Sequence, residues 1–547
     1  MCGISASIGT EGSPHFGSLV HRGPDQEFFG TYDHLAVTFN RLAVTGGIDG
    51  QAPVTSADGH WTCFLNGEIY NFKSLSSDLG LGDVKSDTRV VAEGLSRYGL
   101  DFLNRIQGMY SLLLVDNQIG SYFVLRDPLG EKPLFYAIQN ETIEVSSEFS
   151  ALLKRLNRRL RLNLGALSDY FRFGYIEEPW TIDEGILAFE RGILYELKSE
   201  VGIQELKSFG ARQEVFPGSM QELVSLLNKE IVPSDVGQAV LLSGGIDSAS
   251  LLQNLTCEQK ESTFALTLST PGDVSKGEVK SAGKSARKYG VEHQILEWSP
   301  TDLAQDLQNL AKDNDQPHSD MSGVAYSKIF QRVKELGKKV AISGHGPDEL
   351  FWGYEWYNKQ LRDGIGLDTD RIFWKTPSDL STLMDMREIK IEKGNLSKQD
   401  PYLQSRNPYQ RFRAEIVHSY LSHNALRQSD RLAMRWSVEP RTPYADYRLY
   451  LWAQVNANSA DDLYKRSFKK VISNNPFNRL NRRAKQGFDI GMMSFLNSQE
   501  FSIEFQEVIH SLKNRGLPWP SDFSIRKFGA REKYRLIMLE YWLRQYD

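Results

Sequence analysis

The run Ser243-Gly244-Gly245-Ile246-Asp247-Ser248 carries the clearest chemistry in the chain. It follows the apolar Ala239-Val240-Leu241-Leu242 and leads into Ala249-Ser250-Leu251-Leu252. That order predicts a buried strand, a tight glycine turn and a helix start. Glycine lets the backbone turn sharply and approach a ligand closely. Free N–H groups at a helix start favour an anion, and Ser243 and Ser248 add hydroxyl donors. Asp247, acidic in a loop otherwise suited to phosphate, points to a divalent cation bridging to the phosphates. The Lys-Ser/Thr pair of a Walker loop is missing. The bland alternative is an ordinary strand–turn–helix corner, because Gly46-Gly47-Ile48-Asp49 repeats the string without the flanking serines.

At the other end, Met1-Cys2-Gly3-Ile4 would present Cys2 as the first residue once Met1 is removed, a cleavage favoured by a small following residue. A thiol and an α-amine with a pKa of about 8 would then share one residue, the amine serving as local base. The alternative is a buried small residue. Asn66-Gly67-Glu68 follows a predicted strand and suits a turn that offers N–H groups to an oxyanion. Arg41 and Asp87 are candidate clamps for the carboxylate and ammonium of an amino acid, although most charged side chains are simply exposed. His21-Arg22-Gly23-Pro24-Asp25 reads as a structural turn.

The elements that must position these residues fall into two styles. Up to about residue 205 the chain is strand-rich, with Leu35–Phe39, Trp61–Leu65, Tyr110–Val115, Tyr122–Leu125 and Leu134–Tyr136 predicted as strands and Asp87–Tyr98 as a helix. Stacked sheets between helices suit that half. Residues 200–218, with Gly202, Gly210, Pro217 and Gly218, read as a linker. Beyond it, strands at 239–242, Thr263–Leu268 and Lys339–Ile342 alternate with helices at Met220–Ile231 and 278–289, which predicts a parallel α/β sheet. From about residue 400 the chain reads as mostly helical.

With 547 residues there is ample length for two large domains. A net charge of −5 argues against nucleic-acid or membrane-surface binding. The clusters Lys154-Arg155 with Arg158, Arg159 and Arg161, and Arg479 with Arg482, Arg483 and Lys485, read as solvated faces. Three cysteines, Cys2, Cys63 and Cys257, make no disulfide framework and suggest a reducing cytoplasm. Neither a membrane span nor a signal peptide is expected.

Cys2-Gly-Ile, His21–Asp25, Arg41-Leu-Ala-Val44, Asn66–Asn71, Ser86-Asp87 and Arg126–Tyr136 are together similar to the glutaminase domain of class II amidotransferases. Ser243–Ser248, Ser343-Gly-His-Gly-Pro-Asp-Glu349, Asp430-Arg431, Arg441–Asp446 and Arg483–Phe488 resemble the synthetase domain of glutamine-hydrolysing asparagine synthetases. The resemblance implies an N-terminal Ntn-type αββα sandwich over 2–205. It implies an ATP-pyrophosphatase α/β domain with a helical C-terminal part over 206–547. Cys2 would form a γ-glutamyl thioester, Asn66 and Gly67 would stabilise the oxyanion, and Arg41, Leu42, Ala43, Val44, Thr45, Glu68 and Asp87 would line the glutamine site. Leu241, Ser243, Gly244, Gly245, Asp247, Ser248, Leu266, Ser343 and Gly344 would bind ATP. Leu241 and Leu266, as strand apolars, are core residues first. Asp247 and Asp348 would carry Mg²⁺, and Lys485 would neutralise charge on the α-phosphate.

The implied reaction is amidation of L-aspartate through β-aspartyl-AMP, with ammonia carried from Cys2 along an internal passage walled by Arg126–Tyr136. A homodimer is a further possibility. Four departures stand out: Thr45 where an Asp commonly follows, His345 where an acidic or amide residue is usual, Trp352 in place of a Gly, and a segment before His21 shorter than in well-known members. Placed near the acceptor, His345 and Trp352 would favour a sugar ring, so amidation of a uronic acid or nucleotide-linked sugar is the alternative. Asp430-Arg431 and Arg441–Asp446 supply both charge signs for clamping a zwitterionic acceptor. A ring-forming ligase of the β-lactam type and a binding protein without catalysis are the rival classes. Cys2 with Asn66-Gly67-Glu68 argues against the first, and the phosphate loop against the second.

Overall fold

The computed structural model describes residues 1–9, 19–46, 52–198, 202–209, 215–232, 236–270, 273–299, 303–362, 400–472, 496, 498–515, 517 and 529–547. The N-terminal half contains two six-stranded antiparallel sheets. One has the order β10-β8-β9-β1-β3-β2 and is built from β1 (Cys2–Ile8), β2 (Gln26–Tyr32), β3 (Leu35–Arg41), β8 (Phe135–Gln139), β9 (Thr142–Ser146) and β10 (Leu187–Ala188). The other has the order β12-β11-β7-β6-β5-β4, from β4 (Val54–Thr55), β5 (Trp61–Ile69), β6 (Gly108–Asp116), β7 (Ser121–Arg126), β11 (Ile193–Lys198) and β12 (Gly202–Ser208).

Period-two alternation sends one face of each sheet inward. Ile4, Ala6, Val37 and Phe39 from the first sheet meet Phe64, Leu113, Val115 and Val124 from the second in one core. The opposite face of the second sheet packs Cys63, Leu65, Leu112 and Leu114 against Val90, Val91 and Leu95 of the helix Asp87–Tyr98. The first sheet packs Phe135 and Ala137 against the helices Phe149–Arg155 and Leu164–Phe173. The result is the expected helix–sheet–sheet–helix sandwich. β12 occupies the front of the stretch read as a linker, pairing antiparallel with β11 and packing Ile203 against the sandwich core while Leu206 stays exposed.

The C-terminal half is built on a five-stranded parallel sheet, β15-β14-β13-β16-β17, from β13 (Gln238–Leu241), β14 (Thr263–Ser269), β15 (Glu292–Glu297), β16 (Val340–Ile342) and β17 (Glu439–Arg441). The chain starts in the central β13, builds outward through β14 and β15, then returns to β13's other side with β16. That reversal makes a crevice beyond the carboxyl ends of β13 and β16, where open α/β sheets bind ligands. The helix Met220–Ile231, which precedes β13, is started by a capping box between Ser219 and Glu222. Downstream, Pro408–Arg435 is a continuous helical run whose middle, Val417–Leu426, is π-helical.

Buried charges join the halves. Arg22 donates from Nε to the Cys2 carbonyl at 3.0 Å and from Nη2 to Asp430 at 2.9 Å. Lys132 reaches the other oxygen of Asp430 at 3.1 Å. Glu148 meets Arg431, His21 at 2.9 Å and Arg22 at 3.3 Å. Arg441 bridges Glu439 at 2.6 Å and Glu68 at 3.1 Å. His21–Asp25 is thus the structural turn expected of it, with Asp25 taking the Ala43 N–H and the Lys339 ammonium, both at 2.7 Å.

Burial alone would raise the Glu148 carboxyl, but Arg431, then His21 and Arg22, outweigh it and hold it well below the usual carboxylate range. A depressed pKa contributes stability that is present above the unfolded value of 4.5 and is lost as pH falls below it. Glu148→Gln is therefore expected to cost about 3–5 kcal/mol at pH 7, because it strands buried cations. In urea titrations the gap between wild type and variant should narrow as pH falls from about 5 to 3; a gap independent of pH would contradict this.

Candidate active site

In the N-terminal half the expected residues converge on the start of β1. Cys2 pairs in register with Arg41 of β3, and its N–H donates to Asn66 Oδ1 at 3.0 Å. Asn66 in turn donates from Nδ2 to Ser111 at 3.2 Å, leaving the second amide hydrogen for a ligand. Gly67 adopts φ +143°, and a Cβ there would lie 2.0 Å from the Met109 carbonyl, so only glycine allows this close passage between β5 and β6. Asp87 opens its helix, which Ser86 caps, and accepts from Ile69 N at 3.0 Å and Thr88 N at 2.7 Å.

Burial pushes the Cys2 thiol up, and the neighbouring terminal amine and Arg41 offset this only partly. The sulfur therefore rests as a thiol and needs a base. Burial also raises Glu68 to about 8 and raises Asp87. Glu68 is engaged by Arg441 at 3.1 Å and by the Thr45 hydroxyl at 2.9 Å. Glu439 and Asp87, both buried, add to the rise at Glu68. Arg41 donates to the Thr45 carbonyl at 3.1 Å. Leu42 N donates to the Met1 carbonyl at 2.7 Å, and Leu42, Val44, Met1 and Tyr70 share one apolar cluster. The Ala43 carbonyl accepts from Lys339 at 3.2 Å. The Met1 ammonium lies 2.9 Å from Glu439 of the other half.

In the C-terminal half the two glycine loops follow β13 and β16 and face each other across the crevice. Gly244 has φ +75°, and a Cβ there would meet the Glu278 carbonyl at 2.5 Å. Ser248 accepts from Ser243 N at 3.1 Å, and the two hydroxyls lie 3.0 Å apart at the start of the helix Ile246–Gln253. Gly344 packs against this start, since a Cβ would lie 3.0 Å from Ser248 N. Leu241 and Leu266 are register partners and buried, hence core residues as expected.

The Lys465 ammonium sits between Asp247 at 2.5 Å and Asp348 at 2.6 Å. Sequence reasoning missed Lys465. It carries no motif and lies 218 residues from Asp247, and its only local signal is positive φ at Tyr464 and Lys465. Burial would lower its pKa, but Asp247 and Asp348 outweigh that and raise it, so it remains charged. Gly353 completes the arrangement: a Cβ would fall 1.7 Å from Asp348 Oδ1 and 2.4 Å from Lys465 Cε. Lys485 lies outside the described residues.

Two expectations about the acceptor need correction. Trp352 is fully buried at φ +64°, stacked 5.9 Å from Phe412 with the Arg413 guanidinium over its ring, in a cluster with Ile416 and Leu463. It is a core residue and no pocket wall. Asp430, Arg431, Arg441 and Asp446 do not clamp a zwitterion either. The first three make the ties between the halves, while Asp446 caps its helix and pairs with Arg448 at 2.9 Å. His345 does lie beside the crevice, between Ser343 Oγ at 2.7 Å and Tyr326 Oη at 2.9 Å. The Asp127–Glu131 turn, part of the expected passage wall, borders Asp446–Arg448 across a small cavity. Among the described residues no helix is long and apolar enough to cross a membrane.

Two family profiles match the chain: the glutamine amidotransferase domain over residues 1–207 and asparagine synthase over residues 227–519. Glutamine-hydrolyzing asparagine synthetase 1 of Bacillus subtilis is 25% identical over 495 residues, covering 86% of this chain and 76% of that protein. Asparagine synthetase 3 of the same organism is 24% identical over 478 residues, covering 80% and 76%. Asparagine synthetase 3 of Arabidopsis thaliana is 27% identical over 395 residues, covering 66% and 62%. With an amidotransferase sandwich carrying Cys2 at one end and the synthase profile spanning the larger part of the chain, this protein belongs to the asparagine synthase family.

Proposed function

We propose that the protein converts L-aspartate to L-asparagine, hydrolysing glutamine in residues 2–205 and cleaving ATP to AMP and pyrophosphate in residues 206–547. The observation that carries this reading is the crevice between β13 and β16. It sets two serine hydroxyls and a helix start beside a lysine held by two carboxylates, a setting for a leaving pyrophosphate.

In the first half the Cys2 sulfur attacks the glutamine carboxamide, the α-amine takes the thiol proton, and Asn66 and Gly67 face the oxyanion. Once Met1 is removed, the atom that Asn66 Oδ1 holds at 3.0 Å is that amine. In the second half an acceptor carboxylate attacks the α-phosphate, and ammonia then displaces AMP from the mixed anhydride. Asp247 and Asp348 suit a divalent cation, because an ammonium already lies between them. Such an ion, when bound, would neutralise pyrophosphate oxygens. Ammonia must travel inside the protein, since in bulk water it is mostly the non-nucleophilic ammonium. The uronic-acid reading rested partly on Trp352 as a pocket aromatic and loses that ground with the residue in the core.

Cys2→Ala should abolish glutamine-dependent synthesis and keep synthesis from added ammonium; an unchanged rate with glutamine would remove Cys2 as the nucleophile. Gly353→Ala should displace Lys465 from Asp348 and slow pyrophosphate release by about a hundredfold while glutamine hydrolysis continues. Equal loss of both activities would mean a general folding defect. With ATP, Mg²⁺ and glutamine, aspartate is expected to stimulate pyrophosphate release above a panel of other carboxylates. Stimulation by a uronate alone would overturn the acceptor.

A further inference from the structure

Three side chains form a line beside the crevice between β13 and β16. Ser343 Oγ lies 2.7 Å from His345 Nδ1, and His345 Nε2 lies 2.9 Å from Tyr326 Oη. Tyr326 stands on the helix Gly323–Glu335, its ring stacked on Phe330 at 6.1 Å and tilted against the imidazole at 5.4 Å. The other end of the line is fixed through the backbone. Ser343 N donates to the Arg441 carbonyl at 3.0 Å, and a Cβ on Gly344 would meet Ser248 N at 3.0 Å and the Asp247 carbonyl carbon at 3.1 Å. The line therefore starts on a helix outside the glycine loops and ends against the Ser243–Ser248 loop.

A neutral imidazole has one nitrogen that donates and one that accepts. Both nitrogens of His345 face hydroxyl groups, so the hydrogens of the line run in one of two directions. In the first, Ser343 spends its hydrogen on Nδ1, Nε2–H donates to Tyr326, and the serine offers the crevice only lone pairs. In the second, Tyr326 donates to Nε2, Nδ1–H donates to Ser343 Oγ, and the serine hydrogen is left over for a further acceptor.

An anion in the crevice meets a donor only in the second arrangement, and a charged acceptor makes that last hydrogen bond a strong one. Each bond in such a line polarises the next in the same sense. Tyr326 is suited to feed it. Burial, with Asp320 and Glu349 adding to it, pushes the phenol up, so it keeps the hydrogen that it must donate. A carboxylate in place of His345 would accept only, and would draw the Ser343 hydrogen away from the crevice.

We propose that Tyr326 and His345 are positioning residues for phosphate: an incoming nucleotide selects the Nδ1–H form of His345, which commits the Ser343 hydroxyl as a donor to a phosphate oxygen. This rests on the crevice being the nucleotide site and adds to it a control placed outside the loops. Ser343 makes the contact, and the direction of its hydrogen is set from Tyr326, two side chains away.

The test measures the Kd of ATP and of inorganic pyrophosphate, each with Mg²⁺, on the full chain. Ser343→Ala should weaken both ligands about tenfold, and Tyr326→Phe about fivefold, as expected for one hydrogen bond to a charged group. The double variant should bind no more weakly than Ser343→Ala, because the phenol acts through the serine. His345→Asn places an amide nitrogen near the position of Nδ1 and should bind within about threefold of wild type, whereas His345→Gln places it near Nε2 and should lose about tenfold. A second readout uses the wild-type chain: ¹⁵N-histidine spectra with pyrophosphate should show an Nδ1–H imidazole that is missing from His345→Asn. The proposal falls if the Tyr326→Phe and Ser343→Ala losses multiply in the double variant, if His345→Gln binds as well as His345→Asn, or if the ligand-bound imidazole of His345 carries its proton on Nε2. This pattern with pyrophosphate but no binding of ATP would keep the relay and overturn the nucleotide reading; binding of neither would overturn both.

Discussion

The structure depends on charge buried between its two halves. Arg22, Lys132, Glu148, Asp430, Arg431, Glu439 and Arg441 are each less than one-tenth exposed or have side chains nearly so, and each finds its partner across the boundary or beside it. Taking an ion out of water costs several kcal/mol, and the partner returns this only when the geometry is good. Such pairs add little net stability, yet removing one member is severe. The halves are consequently held to a single mutual arrangement, and the strand that carries Cys2 shares its anchor, Arg22, with the helix that carries Asp430.

That arrangement sets what could be read from the sequence. Glycine loops and caps announce themselves because their cause is local. Ser243–Ser248 is a strand–turn–helix because Gly244 turns through φ +75°, and Asp87–Tyr98 and Met220–Ile231 run as their apolar spacing and caps dictate. The layering of the sandwich also follows from strand alternation. The partners of isolated charges cannot be read in this way. Asp430-Arg431 and Arg441 carry the right residue types for an acceptor clamp, but which carboxylate meets which guanidinium is decided by the pairing of β16 with β17 and the seating of the Arg427–Arg435 helix.

Trp352 and Lys465 show the same limit from opposite directions. Trp352 stands in a glycine-rich loop motif, so its position suggested the pocket; its volume is absorbed instead by Phe412 and Ile416, which only the long helix brings near. Lys465 had no motif to advertise it. It reaches Asp247 and Asp348 because Tyr464 and Lys465 turn through positive φ, a rare conformation for such residues that the surrounding contacts must hold in place. A strained backbone beside two carboxylates is a better pointer to the crevice beyond β13 and β16 than the identity of any one residue there.

The Arg22–Asp430 pair has a consequence for how the chain is made. Its members are 408 residues apart, so at ribosomal speeds of 5–20 residues per second Arg22 waits roughly 20–80 s for its counter-ion. Glu148 follows 126 residues after Arg22, and from then until Asp430 appears it is the one carboxylate that steadies the guanidinium gripping the Cys2 carbonyl. The strand that carries Cys2 therefore gains this fastening only when most of the other half has emerged.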